Sequence, residues 1–222
     1  CIRDSNDRIE AGRNSQLLKD VRLAMINNEQ HPECIRCYSE ERNGTFSNRL
    51  NKSQKYPIKQ FLIDNTNPDG SINDKVKLID FDMRFGNLCN LKCIMCGPTE
   101  SSMWVDDHEQ IFGERLDQSL YQWIDNQDFW NNLDDTIQHI KHMSLIGGEP
   151  LLIKQHFAFL QKLVNANLAK QVSLEYYTNL TRINDSMIEL WKNFKHVQIN
   201  CSIDGYGELN DYIRFPSKWN RI

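Results

Sequence analysis

Three cysteines stand close together in the sequence, and their spacing constrains this chain more than any other feature does. Cys89, Cys93 and Cys96 form the pattern C-x3-C-x2-C. With 7 cysteines in 222 residues, random placement would give this triple only about 0.007 times. An odd number of cysteines, most of them in two tight clusters, fits a disulfide framework poorly and more often indicates metal binding. The sequence therefore predicts a metal centre on a single loop.

Two kinds of metal centre can be built from cysteines in this pattern. Structural zinc normally takes four ligands, commonly from two C-x2-C pairs about 15–20 residues apart. Two such pairs are present, at 34–37 and 93–96, but they lie far apart in the sequence and Cys89 would be left over. Three thiolates on one loop instead suit a cubane [4Fe–4S] cluster, which ordinarily takes four cysteines. The missing ligand would leave one iron open to bind a substrate or cofactor.

Charge and hydropathy exclude two broad classes of partner. The chain carries 26 Lys and Arg against 30 Asp and Glu, a net charge of −4. It offers no basic excess for a phosphate backbone, so we expect no nucleic acid partner. No apolar run approaches the roughly 20 residues that cross a bilayer, so we expect no membrane partner. Because the sequence opens at Cys1 and stops at Ile222, we also expect a fragment that is truncated at both ends.

Four apolar runs in the second part of the chain predict β-strands separated by helices. The strands are predicted over 78–85, 143–146, 172–177 and 197–203. Helical periodicity lies between them, over 152–168 and 185–194. Strands that alternate with helices form βα units with a parallel sheet, and the spacing is that of a βα barrel. We therefore predict an α/β fold with a partial TIM-type barrel, truncated after about the fourth strand.

Each predicted strand ends in residues that are unusual for the middle of a sheet. They are the cysteine triple, Gly147-Gly148-Glu149-Pro150, Thr178-Asn179, and Ser202 with Asp204-Gly205. In βα barrels the chemistry lies at the C-terminal ends of the strands. The four motifs therefore predict one site at one edge of the sheet.

Two further features have structural interpretations. Cys201 precedes Ser202 and so points to the opposite face of its strand, where we expect it to be a small buried residue. The stretch 99–141 is longer than one crossover needs, and its aromatic residues are expected to pack in the core. These aromatic residues are Trp104, Trp123, Phe129 and Trp130.

The cysteine triple after the first strand resembles the signature of the radical S-adenosylmethionine (SAM) superfamily. The resemblance implies that Cys89, Cys93 and Cys96 are the catalytic cysteines and hold a [4Fe–4S] cluster whose open iron chelates the amino and carboxylate groups of SAM. One electron then cleaves the sulfonium, and the 5′-deoxyadenosyl radical takes hydrogen from an unactivated C–H bond. Such a cluster needs a low potential, and cluster potentials reach about −700 mV. Met95 stands where the family usually has an aromatic residue, and we expect it to pack against adenine.

Gly147, Gly148, Glu149 and Pro150 match the GGEP motif that follows the second barrel strand in this family. The resemblance implies that this turn binds the methionine amino group of SAM. Glycine lets a backbone approach a ligand closely and exposes its polar groups. Taken alone, the two glycines would suit an ordinary turn equally well.

The later strand ends resemble further SAM-contacting positions of the family. Thr178 and Asn179 resemble the TN motif of the third strand. Ser202 and Asp204 resemble the S-x-D-G motif of the fourth strand, whose side chains lie near the ribose and methionine parts of SAM. Arg214 resembles an arginine of peptide-modifying members that pairs with the SAM carboxylate. A strand-end cap or a surface ion pair is the alternative for each.

A second group of cysteines precedes the predicted barrel. Cys34 and Cys37, together with Cys1, resemble the segment of radical SAM proteins that carries a twitch domain, a shortened SPASM auxiliary-cluster domain. The resemblance implies that these cysteines hold a second iron–sulfur cluster, with a further ligand upstream of residue 1. A reduced, non-ligating pair or a small zinc knuckle is the alternative. The predicted domains are a twitch-like segment over 1–60, a linker over 61–77 and the partial (β/α)6 radical SAM barrel over 78–222.

The resemblance predicts a radical SAM oxidoreductase or maturase that modifies a peptide or protein. A sugar or a nucleotide is the alternative substrate, and a non-catalytic metal-binding scaffold is the alternative function. The resemblance also implies a flavodoxin or ferredoxin as the electron donor and a reducing, cytoplasmic location.

Overall fold

The computed structural model describes residues 12–56, 58–73, 75–133 and 136–222. The chain forms two compact units, Cys1–Lys77 and Leu78–Ile222. Cys1, one of the predicted auxiliary ligands, lies outside the described residues. Within those residues, no helix is both long and apolar enough to span a bilayer.

The first unit is helical. Its helices are α1 (Gln16–Ile26), α2 (Ile35–Arg42), α3 (Asn48–Lys55) and α4 (Ile58–Asn65). Helix α1 packs against α4. The Ser47 side chain caps α3 by accepting a hydrogen bond from the Leu50 N–H at 3.1 Å. The second half of helix α4 includes the first residues of the segment 61–77, which the sequence predicts to be a linker.

The second unit is built on a parallel four-stranded sheet. Its strands are β1 (Asp80–Arg84), β3 (His142–Ile146), β4 (Ser173–Thr178) and β5 (His196–Cys201). They lie in the order β1-β3-β4-β5, and every neighbouring pair is parallel. Each strand overlaps the run that the sequence predicts for it. The predicted α/β fold with a parallel sheet is therefore confirmed.

Helices connect the strands where the sequence predicts them. Helix α7 (Lys154–Asn165) joins β3 to β4, and α8 (Asp185–Trp191) joins β4 to β5. The Asn184 side chain caps α8 by accepting from the Met187 N–H at 3.0 Å. Helices α5 (Val105–Phe112) and α6 (Gln127–Asn132) lie in the long stretch before β3.

The two faces of the sheet differ in chemistry. One face carries buried apolar residues and a buried tyrosine: Met83, Met143, Leu145, Leu174 and Tyr176. The other face is polar, and there Ser144, Tyr177 and Asn200 donate hydrogen bonds to Glu175 at 3.2, 2.9 and 3.1 Å. Parallel strands covered on both faces usually read as continuous apolar runs. The alternation in these strands therefore reflects a sheet with one apolar and one polar face.

Trp123, Phe129 and Trp130 of the long stretch pack together against the core, as the sequence predicts. Trp104 does not join them: it is partly exposed, and its indole N–H donates to the Cys93 carbonyl. Trp130 is buried, and its ring stacks on Phe85 with centroids 6.3 Å apart. Trp123 stacks on the same Phe85 ring, also at 6.3 Å. These contacts anchor the stretch against the residue that directly follows β1.

A short antiparallel ladder completes the described elements. Strand β2 (Lys92–Cys93) pairs with β6 (Arg214–Phe215), which follows helix α9 (Glu208–Ile213). The ladder places Arg214 opposite Cys93. It thereby joins the segment after β5 to the loop that carries the three cysteines.

Candidate functional site

The three cysteines of the loop 89–96, called here the cysteine loop, lie at the C-terminal end of β1. Cys93 is buried in β2 with 5% of its surface exposed, whereas Cys89 and Cys96 are partly exposed. The Cys96 N–H donates to the Cys93 carbonyl at 3.0 Å. Cys93 also interacts electrostatically with both of the other cysteines. The structure therefore brings the three predicted ligands together.

Three side chains hold the cysteine loop in place, a role that the sequence analysis did not predict for any of them. The buried Ser101 hydroxyl donates to the Leu91 carbonyl at 2.6 Å. The Trp104 indole N–H donates to the Cys93 carbonyl at 2.9 Å. The Cys89 N–H donates to the Ser102 hydroxyl at 3.3 Å. A serine or tryptophan after a motif carries no sequence signal for this role, because the contacts depend on how the loop folds back.

Burial changes the acidity of the three thiols. It raises the pKa of Cys89, of Cys96 and most clearly of Cys93, to about 11. The Arg214 guanidinium acts in the opposite direction on Cys93 and Cys96. Metal ligation requires the thiolate, so metal binding to this loop must release protons and strengthen as pH rises.

The two glycines after β3 pack against residues 85–88, the segment that leads into the cysteine loop. A side chain at Gly148 is excluded, since its Cβ would lie 2.2 Å from the Leu88 carbonyl oxygen. Gly147 has a φ of +132°, and a Cβ there would lie 2.9 Å from the Phe85 nitrogen. The Gly148 N–H donates to the Gly86 carbonyl at 2.9 Å. Glycine lets the backbone of this turn come close to another segment of the same chain, and the contacts seen here are of that kind rather than with a ligand.

Glu149 joins the ends of β3 and β4. Its buried carboxylate accepts hydrogen bonds from the Thr178 hydroxyl at 2.7 Å, the Asn179 N–H at 2.8 Å and the Leu151 N–H at 3.0 Å. Burial raises the pKa of Glu149, and the three hydrogen bonds oppose that rise. Pro150, the next residue, is also buried. The GGEP and TN motifs are therefore one hydrogen-bonded unit.

Asn179 extends this unit to the cysteine loop. Its amide donates to the Asn90 side-chain oxygen at 3.0 Å, and Asn90 donates in turn to the Thr181 hydroxyl at 2.8 Å. Asn90 is the residue directly after Cys89. The end of β4 thus helps to fix the first ligand of the loop.

The segment after β5 supplies a charged pair beside the cysteines. The Arg214 guanidinium binds the Asp204 carboxylate at 2.6 Å and lies 3.7 Å from the Cys93 sulfur. The Arg214 Nε is buried and has no hydrogen-bond partner among the residues that the structure describes. The Ser202 N–H donates to the Thr178 carbonyl at 2.8 Å, so Ser202 joins the end of β4.

A comparison with protein-family models decides the family. The model of the radical SAM superfamily matches residues 83–222, well over half of the chain. The chain belongs to the radical SAM superfamily. No curated protein gives a significant match to it. Membership makes it a radical SAM-type enzyme that uses SAM and an iron–sulfur cluster.

The residues present fit the groups that a radical SAM enzyme holds. Three thiols on one loop are the ligand set that leaves one iron of a [4Fe–4S] cluster open. Beside them, Arg214 offers a buried donor that no protein group satisfies among the described residues. Among the residues that the structure describes, no three His, Cys, Asp or Glu side chains are arranged to hold a single metal ion. A cluster binds its thiolates through different irons, so its ligands need not converge on one point.

Met95 lies on the surface of the cysteine loop of this radical SAM enzyme, with 56% of its area exposed. The neighbouring Ile94 is equally exposed. An exposed, flexible thioether can pack against a flat ring. Contact between Met95 and adenine stays a prediction.

Cys201 does not lie where the sequence analysis expects it. The residue is exposed on β5, so the expectation of a small buried side chain is wrong. Alternation along a strand indicates which face a side chain is on, but it does not tell what covers that face.

The remaining cysteines belong to the helical unit. Cys34 occupies the N-cap position of α2 without a side-chain capping hydrogen bond, and Cys37 lies in the first turn, so the two stand near each other, both partly exposed. Burial raises the pKa of Cys34, as does the nearby Cys37. Arg49 lies close enough to both to interact electrostatically. The ligand roles of these two residues and of Cys1 stay predictions.

Proposed function

We propose that Cys89, Cys93 and Cys96 hold the [4Fe–4S] cluster and that the strand ends around them bind SAM. The observation that supports this most directly is the packing of the GGEP turn on the segment that leads into the cysteine loop. The Gly148 N–H donates to the Gly86 carbonyl at 2.9 Å, and the Glu149 N–H donates at 2.7 Å to the carbonyl of Leu88, the residue before Cys89. The turn that would bind the methionine part of SAM is thereby fixed beside the thiols that would bind iron. Cluster and SAM together supply one-electron chemistry that activates an unreactive C–H bond.

In this proposal the chain's own residues have separate tasks. Arg214 and Asp204 contribute one positive and one negative group for the charged ends of the methionine part. Ser202 and the Thr178-Asn179 pair line the neighbouring strand ends, and Met95 packs on the adenine. Glu149 is buried and fully hydrogen-bonded. It therefore holds the shape of the turn, while Gly147, Gly148 and Pro150 shape the backbone around it.

We further propose that the sheet is part of a (β/α)6 barrel. The polar face around Glu175 supports this, because a barrel that admits a polar substrate needs polar side chains on its inner face. Four parallel strands in sequential spatial order suit such a barrel.

For the substrate we propose a peptide or protein, and for the helical unit a twitch-like auxiliary cluster. The support is the resemblance of the segment around Cys34 and Cys37 and the proximity of these two thiols at the start of α2. A flavodoxin or ferredoxin would deliver the electron in a reducing, cytoplasmic environment. A sugar or nucleotide remains the alternative substrate.

The experiment that tests the proposal starts from oxygen-free reconstitution with iron and sulfide. We expect SAM to change the EPR signal of the reduced protein and dithionite to drive SAM cleavage. Cys93→Ala should abolish cleavage. Cys201→Ala is the matched control, because Cys201 is an exposed cysteine on β5, and this variant should leave cleavage unchanged.

Two outcomes would contradict the proposal. One is SAM cleavage that persists in Cys93→Ala, which would place the cluster elsewhere. The other is stoichiometric zinc with no signal that responds to SAM, which would favour a metal-binding scaffold.

A further inference from the structure

Arg214 is held against the cysteine loop by backbone pairing. Strand β6 pairs with β2 so that Arg214 stands opposite Cys93, and the Ile94 N–H donates to the Ile213 carbonyl at 2.9 Å. These contacts lie on both sides of the pair and leave its backbone little freedom. The position of Arg214 relative to Cys93 therefore follows from main-chain geometry.

The side chain of Arg214 lies between a carboxylate and a thiol. Its Nη2 is 2.6 Å from the Asp204 carboxylate, and its Nη1 is 3.7 Å from the Cys93 sulfur. Only 15% of the side chain is exposed, so water screens the charge weakly. Asp204 is more exposed, at 34%. The Arg214 guanidinium is thus largely buried beside the sulfur, whereas its counter-ion is more exposed to water.

The charge balance around Arg214 depends on whether Cys93 is a thiol or a thiolate. With a neutral Cys93 thiol, Arg214 and Asp204 form a complete ion pair. Ligation to iron converts the thiol to a thiolate and so adds a negative charge next to the same guanidinium. A charge-assisted contact of this kind is about twice as strong as a neutral hydrogen bond. The buried Nε of Arg214, without a partner in the described residues, shows that the guanidinium also retains donor capacity.

We propose that Arg214 is a positioning residue for the cluster, in which its guanidinium is the counter-charge of the Cys93 thiolate and Asp204 holds it in place. This inference rests on the proposed cluster and is separate from any contact between Arg214 and SAM. The contact joins two residues of the chain itself, so its effect is measurable before SAM is added. A fixed positive charge beside a ligand sulfur favours the reduced cluster, which carries one more electron.

The test is an EPR-monitored redox titration of the reconstituted protein without SAM. Arg214→Gln should lower the ratio of reduced to oxidised cluster at a fixed potential by about tenfold, equivalent to about 59 mV for one electron. Arg214→Lys keeps the charge and should restore most of that ratio. Asp204→Asn removes the negative partner and should change the ratio in the opposite direction.

Arg115→Gln is the matched control. Arg115 is an exposed arginine that forms ion pairs with Asp106 and Glu109, so the variant loses the same charge and the same kind of contact. It should leave the titration unchanged. Equal iron content in all variants shows that the comparison concerns one and the same cluster.

Several outcomes would overturn the inference. If Arg214→Gln titrates like the wild type but no longer responds to SAM, Arg214 acts on SAM alone. If Arg214→Gln and Asp204→Asn shift in the same direction, the variants disturb the loop rather than its charge. If Arg214→Gln takes up no iron, the redox titrations of Arg214→Lys and Asp204→Asn test the inference instead. It fails if Asp204→Asn does not raise the ratio of reduced to oxidised cluster or if Arg214→Lys does not stay close to the wild type. A wild-type protein without any cluster would contradict the proposed function itself.

Discussion

Gly148 and Gly97 show how differently two glycines near the cysteine loop are constrained. A Cβ at Gly148 would meet the Leu88 carbonyl oxygen at 2.2 Å, whereas one at Gly97 would meet only the Glu100 carboxylate at 3.4 Å. The first contact is with backbone that cannot move without displacing the loop. The second is an ordinary contact with the end of a flexible side chain. Glycine is therefore required after β3 and replaceable after Cys96.

The residue-scale prediction follows from this difference. Gly148→Ala should destabilise the protein by roughly 1–3 kcal/mol or more through overpacking, and should reduce iron uptake on reconstitution. Gly97→Ala should fold and take up iron like the wild type. Chemical denaturation and iron analysis of both variants measure the two effects. Normal iron uptake by Gly148→Ala would contradict the role given to the turn.

At the scale of elements, a buried hydroxyl links two helices to the sheet. The Trp191 indole N–H of α8 donates to the Tyr176 hydroxyl of β4 at 3.1 Å. The Tyr176 hydroxyl lies 3.0 Å from His156 Nε2 of α7, and His156 Nδ1 lies 2.8 Å from the Ile153 carbonyl. These partners make Nδ1 the protonated nitrogen and Nε2 the acceptor. Burial keeps the imidazole neutral by lowering the pKa of His156 to about 4.

Removal of the hydroxyl should uncouple these elements. Tyr176→Phe leaves the buried His156 and Trp191 nitrogens without their partner, at a cost of about 1–3 kcal/mol for each unsatisfied group. We expect a loss of unfolding free energy in that range or above, measured by urea denaturation. Tyr177→Phe, on the polar face of the same strand, is the control and should cost less. Equal losses of unfolding free energy in Tyr176→Phe and Tyr177→Phe would show that the buried hydroxyl network stabilises the protein no more than the hydrogen bond on the polar face.

The same histidine predicts a pH dependence of stability. The pKa of His156 falls from an ordinary 6.5 to about 4 in the folded state, so the unfolded chain binds the proton first. The resulting stabilisation is present above pH 6.5 and is lost as pH falls toward 4. It amounts to about 3 kcal/mol. His156→Gln should lack this component, whereas the exposed His196→Gln should retain it. Parallel stability curves for wild type and His156→Gln would contradict the assignment.

At the scale of the whole molecule, the cysteines divide between two compact units. The cysteine loop belongs to Leu78–Ile222, and Cys34 and Cys37 belong to Cys1–Lys77. The family match covers residues 83–222 and so concerns the second unit. The auxiliary cluster proposed for Cys34 and Cys37 therefore lies outside the matched residues.

This separation gives a prediction about iron content. If the helical unit holds a second cubane, the reconstituted chain should contain about eight irons, from two four-iron clusters. The double variant Cys34→Ala, Cys37→Ala should then retain about four irons and an EPR signal that responds to SAM. Cys201→Ala should retain about eight. About four irons in the wild type would show that the auxiliary cluster is absent.

Local patterns were sufficient for the strands and for the three-cysteine loop. Alternation in β1 and β4 is visible without any knowledge of what the strands contact, because side chains point to opposite faces in turn. The C-x3-C-x2-C spacing is likewise contained within a few residues. The exposure of Cys201 was predicted wrongly because burial depends on neighbours from other elements.

The sequence by itself determined the parallel α/β sheet, the cysteine loop and the family, because periodicity and close spacing are properties of short segments. Only the tertiary structure decided that Arg214 faces Cys93, 121 residues away in the chain. It likewise showed that Glu149 joins the GGEP turn to the end of β4. Contacts of this kind depend on which strands become neighbours when the chain buries its apolar surface. That choice is made by the packing of the whole unit, and no short segment records it.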